Sequence, residues 1–160
     1  MPKKLKIGWF SFSCCNDSTI VFTELLNTNF EKWTKLIDFQ YFPMLKKKRK
    51  LEGLDVAFVE GAIAKESDKK RLKQIRKNCK RLIAIGSCAC NAGPSGQRND
   101  FDEKKKKEIE PIIKELKLCK KVSAVSEIVK IDGQVSGCPM SERKFVLMLN
   151  KQLKDFKIIK

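Results

Sequence analysis

Three short apolar runs in this chain each end on a loop that carries reactive side chains, and no other feature narrows the fold as far. Residues 5–10 (Leu-Lys-Ile-Gly-Trp-Phe) lead into Ser11-Phe12-Ser13-Cys14-Cys15-Asn16-Asp17-Ser18, with two thiols side by side. Residues 54–59 lead into Glu60-Gly61, and residues 81–85 lead into Gly86-Ser87-Cys88-Ala89-Cys90-Asn91-Ala92-Gly93-Pro94. Runs this short and apolar have the composition of strands buried on both faces. Such strands need helices to cover them, and amphipathic stretches lie between the runs.

Asp17 or Ser18 can cap a helix that ends near residues 30–33, with Ile20, Val21, Leu25 and Leu26 on one stripe. Residues 36–42 then read as a second strand closed by Pro43. Ser67 or Asp68 caps a helix through about Asn78, with Leu72 and Ile75 facing inward. Residues 101–118 put Ile109, Ile112, Ile113 and Leu116 on one face of a helix entered or kinked at Pro111. Residues 122–129 read as a connector or short strand. Residues 131–135 read as a turn leading to Ser136-Gly137-Cys138-Pro139, and Ser141 caps a last helix bearing Phe145, Val146, Leu147, Leu149 and Leu153. Strands and helices alternating from end to end predict an α/β fold, a flavodoxin-like doubly wound parallel sheet, as one domain over residues 1–160. Ligands of such sheets bind at the carboxyl ends of the strands, where these loops fall.

Charge and cysteine usage narrow the chemistry. Thirty-five Lys and Arg against 19 Asp and Glu give +16, with no His. Without His there is no imidazole acid or base, no Ser-His or Cys-His nucleophile pair and no His-ligated metal within the chain. The basic runs 46–50 and 104–107 lack a nucleic-acid recognition motif or interleaved stacking aromatics. They read as solvated surface, and an acidic protein partner suits them better than nucleic acid. No apolar segment is long enough to insert in a membrane, and Met1-Pro2-Lys3-Lys4 opens no signal-peptide core, so a cytoplasmic location is expected. Seven Cys there point to metal or redox use more than to disulfides.

Cys14, Cys15, Cys88 and Cys138 each follow a strand or a glycine turn at one edge of the sheet. Cys79 and Cys119 read as small packing residues, and Cys90 as a spare ligand whose side chain diverges from that of Cys88 in an extended loop. Gly86 and Gly93 let the backbone pass close to a bulky inorganic group. Four thiolates suit zinc or an iron-sulfur cluster. The four contain no Cys-x2-Cys knuckle of the structural zinc type, and a cuboidal cluster is wide enough to be met by neighbouring residues plus two distant loops, so a 4Fe-4S cluster is favoured. Glu60, at the same edge, reads equally as part of the site or as a capping or solvated carboxylate.

The set Ser13-Cys14-Cys15, Val59-Glu60-Gly61, Gly86-Ser87-Cys88-Ala89 and Gly137-Cys138-Pro139, in this order on an α/β pattern, resembles the small subunit of nickel-iron hydrogenases and the related 20-kilodalton-type subunit of complex I. The resemblance covers nearly the whole chain. It implies a flavodoxin-like domain holding one 4Fe-4S cluster against a large catalytic subunit that carries the hydrogen-activating metal. Electrons then pass on to another subunit or a ferredoxin. By the same resemblance Cys88 and Cys138 match the third and fourth cluster ligands, and Glu60 matches a glutamate near the cluster and the subunit interface, with a proton-relay or interface role. The adjacent Cys14 and Cys15 match the complex I pattern. In the hydrogenase spacing Ser18 would stand where a second thiol belongs, while Pro139-Met140-Ser141-Glu142 looks more like the cytoplasmic hydrogenases. A zinc-stabilised basic binding module remains the rival of another class.

Overall fold

The computed structural model describes residues 3–43 and 50–160. The basic run at 46–50 lies, but for Lys50, outside the described residues. Five strands form one parallel sheet: β1 (Leu5–Ser11), β2 (Ile37–Tyr41), β3 (Leu54–Glu60), β5 (Cys79–Ile85) and β7 (Gly133–Val135), in the spatial order β2-β1-β3-β5-β7. This is the flavodoxin-like winding, in which the chain reverses its direction of travel between β1 and β3. A second sheet of two antiparallel strands, β4 (Ile63–Lys65) and β6 (Leu118–Ser123), lies outside it. The helices are α1 (Asp17–Thr28), α2 (Phe30–Leu36), α3 (Glu66–Lys77), α4 (Gly86–Asn91), α5 (Glu103–Glu115) and α6 (Glu142–Asp155), with a 3-10 turn over Pro94–Asp100.

Period-two alternation along the central strands divides the interior into two layers. Ile7 and Trp9 of β1, Val56 and Phe58 of β3 and Ile83 and Ile85 of β5 face one side, where they meet Phe22 and Leu26 of α1 and Phe145, Leu149 and Leu153 of α6. Phe10, Ala57, Val59, Leu82 and Ala84 face the other, against Leu72 and Ile75 of α3 and Ala89 of α4. The first layer is largely aromatic. Trp9 stacks on Phe22 with ring centroids 4.5 Å apart, and Phe145 meets the rings of Trp9, Phe22 and Phe58 at 5.4–5.9 Å. Burying such rings is the main stabilising contribution a chain of this size has.

Several elements differ from the sequence reading. The first helix breaks at Asn29, whose side-chain amide donates back to the Leu25 carbonyl at 2.9 Å and ends α1 before α2 begins. Residues 131–135 contain strand β7, paired in register with Ile83, Ala84 and Ile85, where a turn was expected. Strands β4 and β6 are short additions that the apolar pattern does not signal, with Lys65, Lys120 and Lys121 exposed. Ser141 does cap the last helix, accepting from the Lys144 N–H, and Pro111 is accommodated inside α5.

Candidate functional site: a thiol-bearing edge at the carboxyl ends of the strands

The loops after β1, β3, β5 and β7 meet at one edge, joined by backbone and hydroxyl hydrogen bonds. Ser13 and Ala62 exchange a pair of backbone hydrogen bonds at 3.1 and 2.9 Å, tying the Cys14-Cys15 loop to the residues after Glu60. The Ser87 N–H donates to the Gly137 carbonyl at 2.8 Å, placing the residue before Cys88 against the residue before Cys138. Ser18, at the start of α1, accepts from the Met140 N–H at 3.1 Å. Gly86 sits where these loops converge. Its φ is +78°, and a Cβ there would stand 3.0 Å from Ser18 Oγ, so only glycine fits without displacement.

The four thiols grade from inside to outside. Cys88 is buried and Cys14 half-buried, and both pack with the small residues Ala62, Ala64, Ala92 and Val122. Cys15 and Cys138 are exposed on the rim. All seven cysteines are unpaired. Burial pushes the Cys14 thiol up to about 12; the Glu60 carboxylate, Cys88 and Cys15 add to the shift, and the Asn16 amide opposes it. Cys14 is therefore held as a thiol unless a cation comes to the edge to offset that burden. The donor set suits a thiolate-bound iron-sulfur group: four free sulfurs on three mutually tied loops, set among side chains small enough to leave room. Among the described residues no three Cys, Asp or Glu groups are gathered as they would be around a single metal ion.

Glu60 is only 3 % exposed, which rules out the solvated reading. Asn16, the residue before α1, makes no side-chain cap, and Glu60 supplies that cap from across the sheet. Its Oε1 accepts from the Ser18 N–H at 3.0 Å and its Oε2 from the Thr19 hydroxyl, which in turn accepts from Trp9 Nε1 at 2.8 Å. A carboxylate at the positive end of a helix is favourably placed. Burial nonetheless raises its pKa, with the Thr19 and Ser18 bonds opposing.

The remaining candidates separate. Residues 86–91 form the short helix α4 where a loop was expected, and winding them turns Cys90 away from Cys88. Cys90 packs in the opposite layer with its Sγ 3.8 Å from the Ala84 carbonyl, and burial pushes its thiol up to about 11. Cys79 begins β5 and receives a hydrogen bond from Arg76, and Cys119 lies on β6 beside Glu66. Sequence reasoning missed Ser95. Its hydroxyl lies 3.2 Å from Cys88 Sγ and donates to the Ser13 carbonyl at 2.9 Å, bridging two thiol loops. A serine in a Gly-Pro-Ser-Gly stretch gives no signal for that role.

Fold and edge together define a class, the flavodoxin-like domains whose strand-end loops carry cysteines. Within it, the chain belongs to the family of the 20 kDa subunit of NADH ubiquinone oxidoreductase, whose model matches residues 15–152. That span contains Cys15, Glu60, Cys88 and Cys138, and Cys14 lies one residue before it. The chain is 29 % identical over 159 aligned positions to a subunit of the F420-non-reducing hydrogenase of Methanothermobacter marburgensis, covering 87 % of this chain and 50 % of that one. It is 26 % identical over 163 aligned positions to the delta subunit of the NAD-reducing hydrogenase HoxS of Cupriavidus necator, covering 85 % and 72 %. Several of the relatives are about twice as long as the region matched, so that this chain spans about half their length. Among solved structures, a subunit of an NAD+-reducing NiFe-hydrogenase in the H2-reduced state superposes with a TM-score of 0.81 at 23 % identity, covering 96 % of this chain and 93 % of that one. That likeness shows the fold. No helix among the described residues is long and apolar enough to cross a membrane.

Proposed function

We propose that the chain is the electron-transfer small subunit of a cytoplasmic nickel-iron hydrogenase-like complex, with Cys14, Cys15, Cys88 and Cys138 holding one 4Fe-4S cluster. The observation that carries this reading is the joining of the three thiol-bearing loops at one edge, through the Ser87–Gly137 and Ser13–Ala62 hydrogen bonds and the Ser95 bridge. Kinship with hydrogenase subunits supports it. When bound, such a cluster supplies one-electron transfer at a potential set by its surroundings.

The chain's own residues provide those surroundings. Cys88 and Cys14 offer sulfurs from the interior and Cys15 and Cys138 from the rim, so the open side of the site lies at the protein surface, where a large catalytic subunit would cover it. The Ser95 hydroxyl, whose one proton goes to the Ser13 carbonyl, accepts from the Cys88 thiol at 3.2 Å and so holds the inner sulfur against the Cys14-Cys15 loop. Glu60 holds the start of α1 in place and sets a buried acid behind the thiols, positioned for a relay or interface role. The chain alone would turn over no substrate, the hydrogen-activating metal residing on the partner. Electrons would leave through a further subunit or a ferredoxin. Adjacent Cys14 and Cys15 favour, as a second reading, a complex I-like partner for the same cluster.

Anaerobic purification with co-expressed neighbouring gene products, followed by iron, sulfide, nickel and zinc analysis and EPR after dithionite reduction, tests the assignment. About four irons and four sulfides per chain are expected, with a reduced-cluster signal lost in Cys88→Ala and Cys138→Ala but kept in Cys90→Ala. Nickel in the co-purified partner identifies a hydrogenase, and its absence from an intact complex selects the second reading. Zinc without sulfide overturns the cluster.

A further inference from the structure

Helix α5 has the pattern of a core helix and buries nothing. Ile109 and Ile113 are half-buried, while Ile112 and Leu116 on the same stripe are 51 and 52 % exposed. Contiguous apolar surface rimmed by charged residues is the kind that marks an interaction site. Between α5, β6 and the 3-10 turn over Pro94–Asp100 runs an open groove of about 290 Å3 whose floor is Ile109 and Ile113.

The walls of that groove are strongly basic. Arg98, Lys106, Lys107, Lys114 and Lys120 line it together with two carboxylates. Both carboxylates are already neutralised within α5, Glu103 by Lys106 at 3.0 Å and Glu110 by Lys114 at 2.8 Å. Lys107, Lys120 and Arg98 make no direct ion pair among the described residues. Arg98 donates through Nη1 to the Lys120 carbonyl at 3.3 Å, while its Nη2 is buried and has no hydrogen-bond partner among the described residues.

We propose that this groove is a docking site for an acidic, amphipathic segment of a partner protein. Aliphatic side chains of the segment cover Ile109 and Ile113 in the groove and the exposed Ile112 beside it, and its carboxylates meet Lys107 and Lys120 on the walls. A second copy of this chain does not suit the groove, since a chain of charge +16 brings more positive charge to it. Nucleic acid suits it less well, because its floor is aliphatic and no aromatic ring lines it for base stacking. The turn that carries Arg98 also carries Ser95, so a docked segment sits one 3-10 turn from Cys88. The docking itself does not depend on what the thiols hold.

Fluorescence anisotropy with the full chain tests this. The probe is a labelled peptide with leucines at i, i+3, i+4 and i+7 and glutamates elsewhere; a polyglutamate peptide, a DNA duplex and inorganic phosphate serve as competitors. The acidic amphipathic peptide is expected to bind with a salt-sensitive affinity. That affinity should fall by roughly tenfold or more both in Lys107→Glu/Lys120→Glu and in Ile109→Ser, the charge and apolar contributions being separate. Ile112→Ser, at a solvent-exposed position, repeats the apolar test if Ile109→Ser melts early. Equal binding of polyglutamate, or no loss in either Ile variant, overturns the proposal in favour of unspecific charge attraction. Tighter binding of the duplex overturns it in favour of nucleic acid, and displacement by millimolar phosphate in favour of a small-anion site.

Discussion

Helices α5 and α6 carry nearly the same apolar pattern and meet different fates. In α6 the stripe of Phe145, Leu149 and Leu153 is wholly buried on the aromatic layer of the sheet. In α5 the stripe of Ile109, Ile112, Ile113 and Leu116 lies half in the groove and half in solvent, and no residue of the helix is fully buried. Both helices begin well, since Asp102 caps α5 through the Lys105 N–H at 2.8 Å and Ser141 caps α6 through the Lys144 N–H at 3.4 Å. The difference is one of tertiary cover and not of local propensity. It teaches that periodicity reports the presence of an apolar face and says nothing of what lies against it.

The comparison can be broken most forcefully at Phe145. Phe145→Ala removes a ring packed among Trp9, Phe22 and Phe58, and should cost about 3–5 kcal/mol in urea unfolding. A loss as small as that at an exposed site would mean that α6 is no better anchored than α5. Glu60→Ala comes next, because it leaves the Ser18 N–H and the Thr19 hydroxyl without their acceptor in a buried place. About 2 kcal/mol is expected, read by the same titration, with faster amide exchange in the first turn of α1. The two caps sharpen the contrast further. Ser141→Ala should lower global stability by about 1 kcal/mol. Asp102→Ala should leave the global midpoint nearly unchanged and speed amide exchange in α5 alone, since a weakly docked helix opens by itself. Smallest of all, Ile112→Ser should change thermal stability by less than about 0.5 kcal/mol. A larger loss would show that α5 already has its cover within this chain.

Much of the fold could be read from the sequence where burial is two-sided. Residues 54–59 and 81–85 are apolar because both layers press on them, and they became β3 and β5. Strand β7 escaped because it is three residues long at the sheet edge, paired on one side only, and contains Gly133 and an exposed Gln134. Strands β4 and β6 escaped because β6 reads Leu-Cys-Lys-Lys-Val-Ser, whose lysines obscure the alternation. Helix α4 is one and a half turns of Gly, Ser, Cys, Ala and Asn, with too little propensity to announce itself. At the edge, the placement of the four thiols after strands was legible from local pattern. The capping of α1 by Glu60 was not, because it joins residues 42 positions apart. Nor was the Ser95 bridge, which spans 82.

The place of β7 in the chain bears on biosynthesis. Its pairing with Ile83, Ala84 and Ile85 brings the Cys138 loop to the edge, and only then can the Ser87 N–H reach the Gly137 carbonyl. A nascent chain still lacking its last quarter carries Cys14, Cys15 and Cys88 without the loop that completes their setting. It also leaves Trp9 and Phe58 uncovered until Phe145 of α6 arrives. The edge is therefore assembled late, once residues 133–141 are available to pair with β5. Until then three thiols of the edge and an aromatic slab stand open, and apolar surface exposed in this way is prone to aggregate.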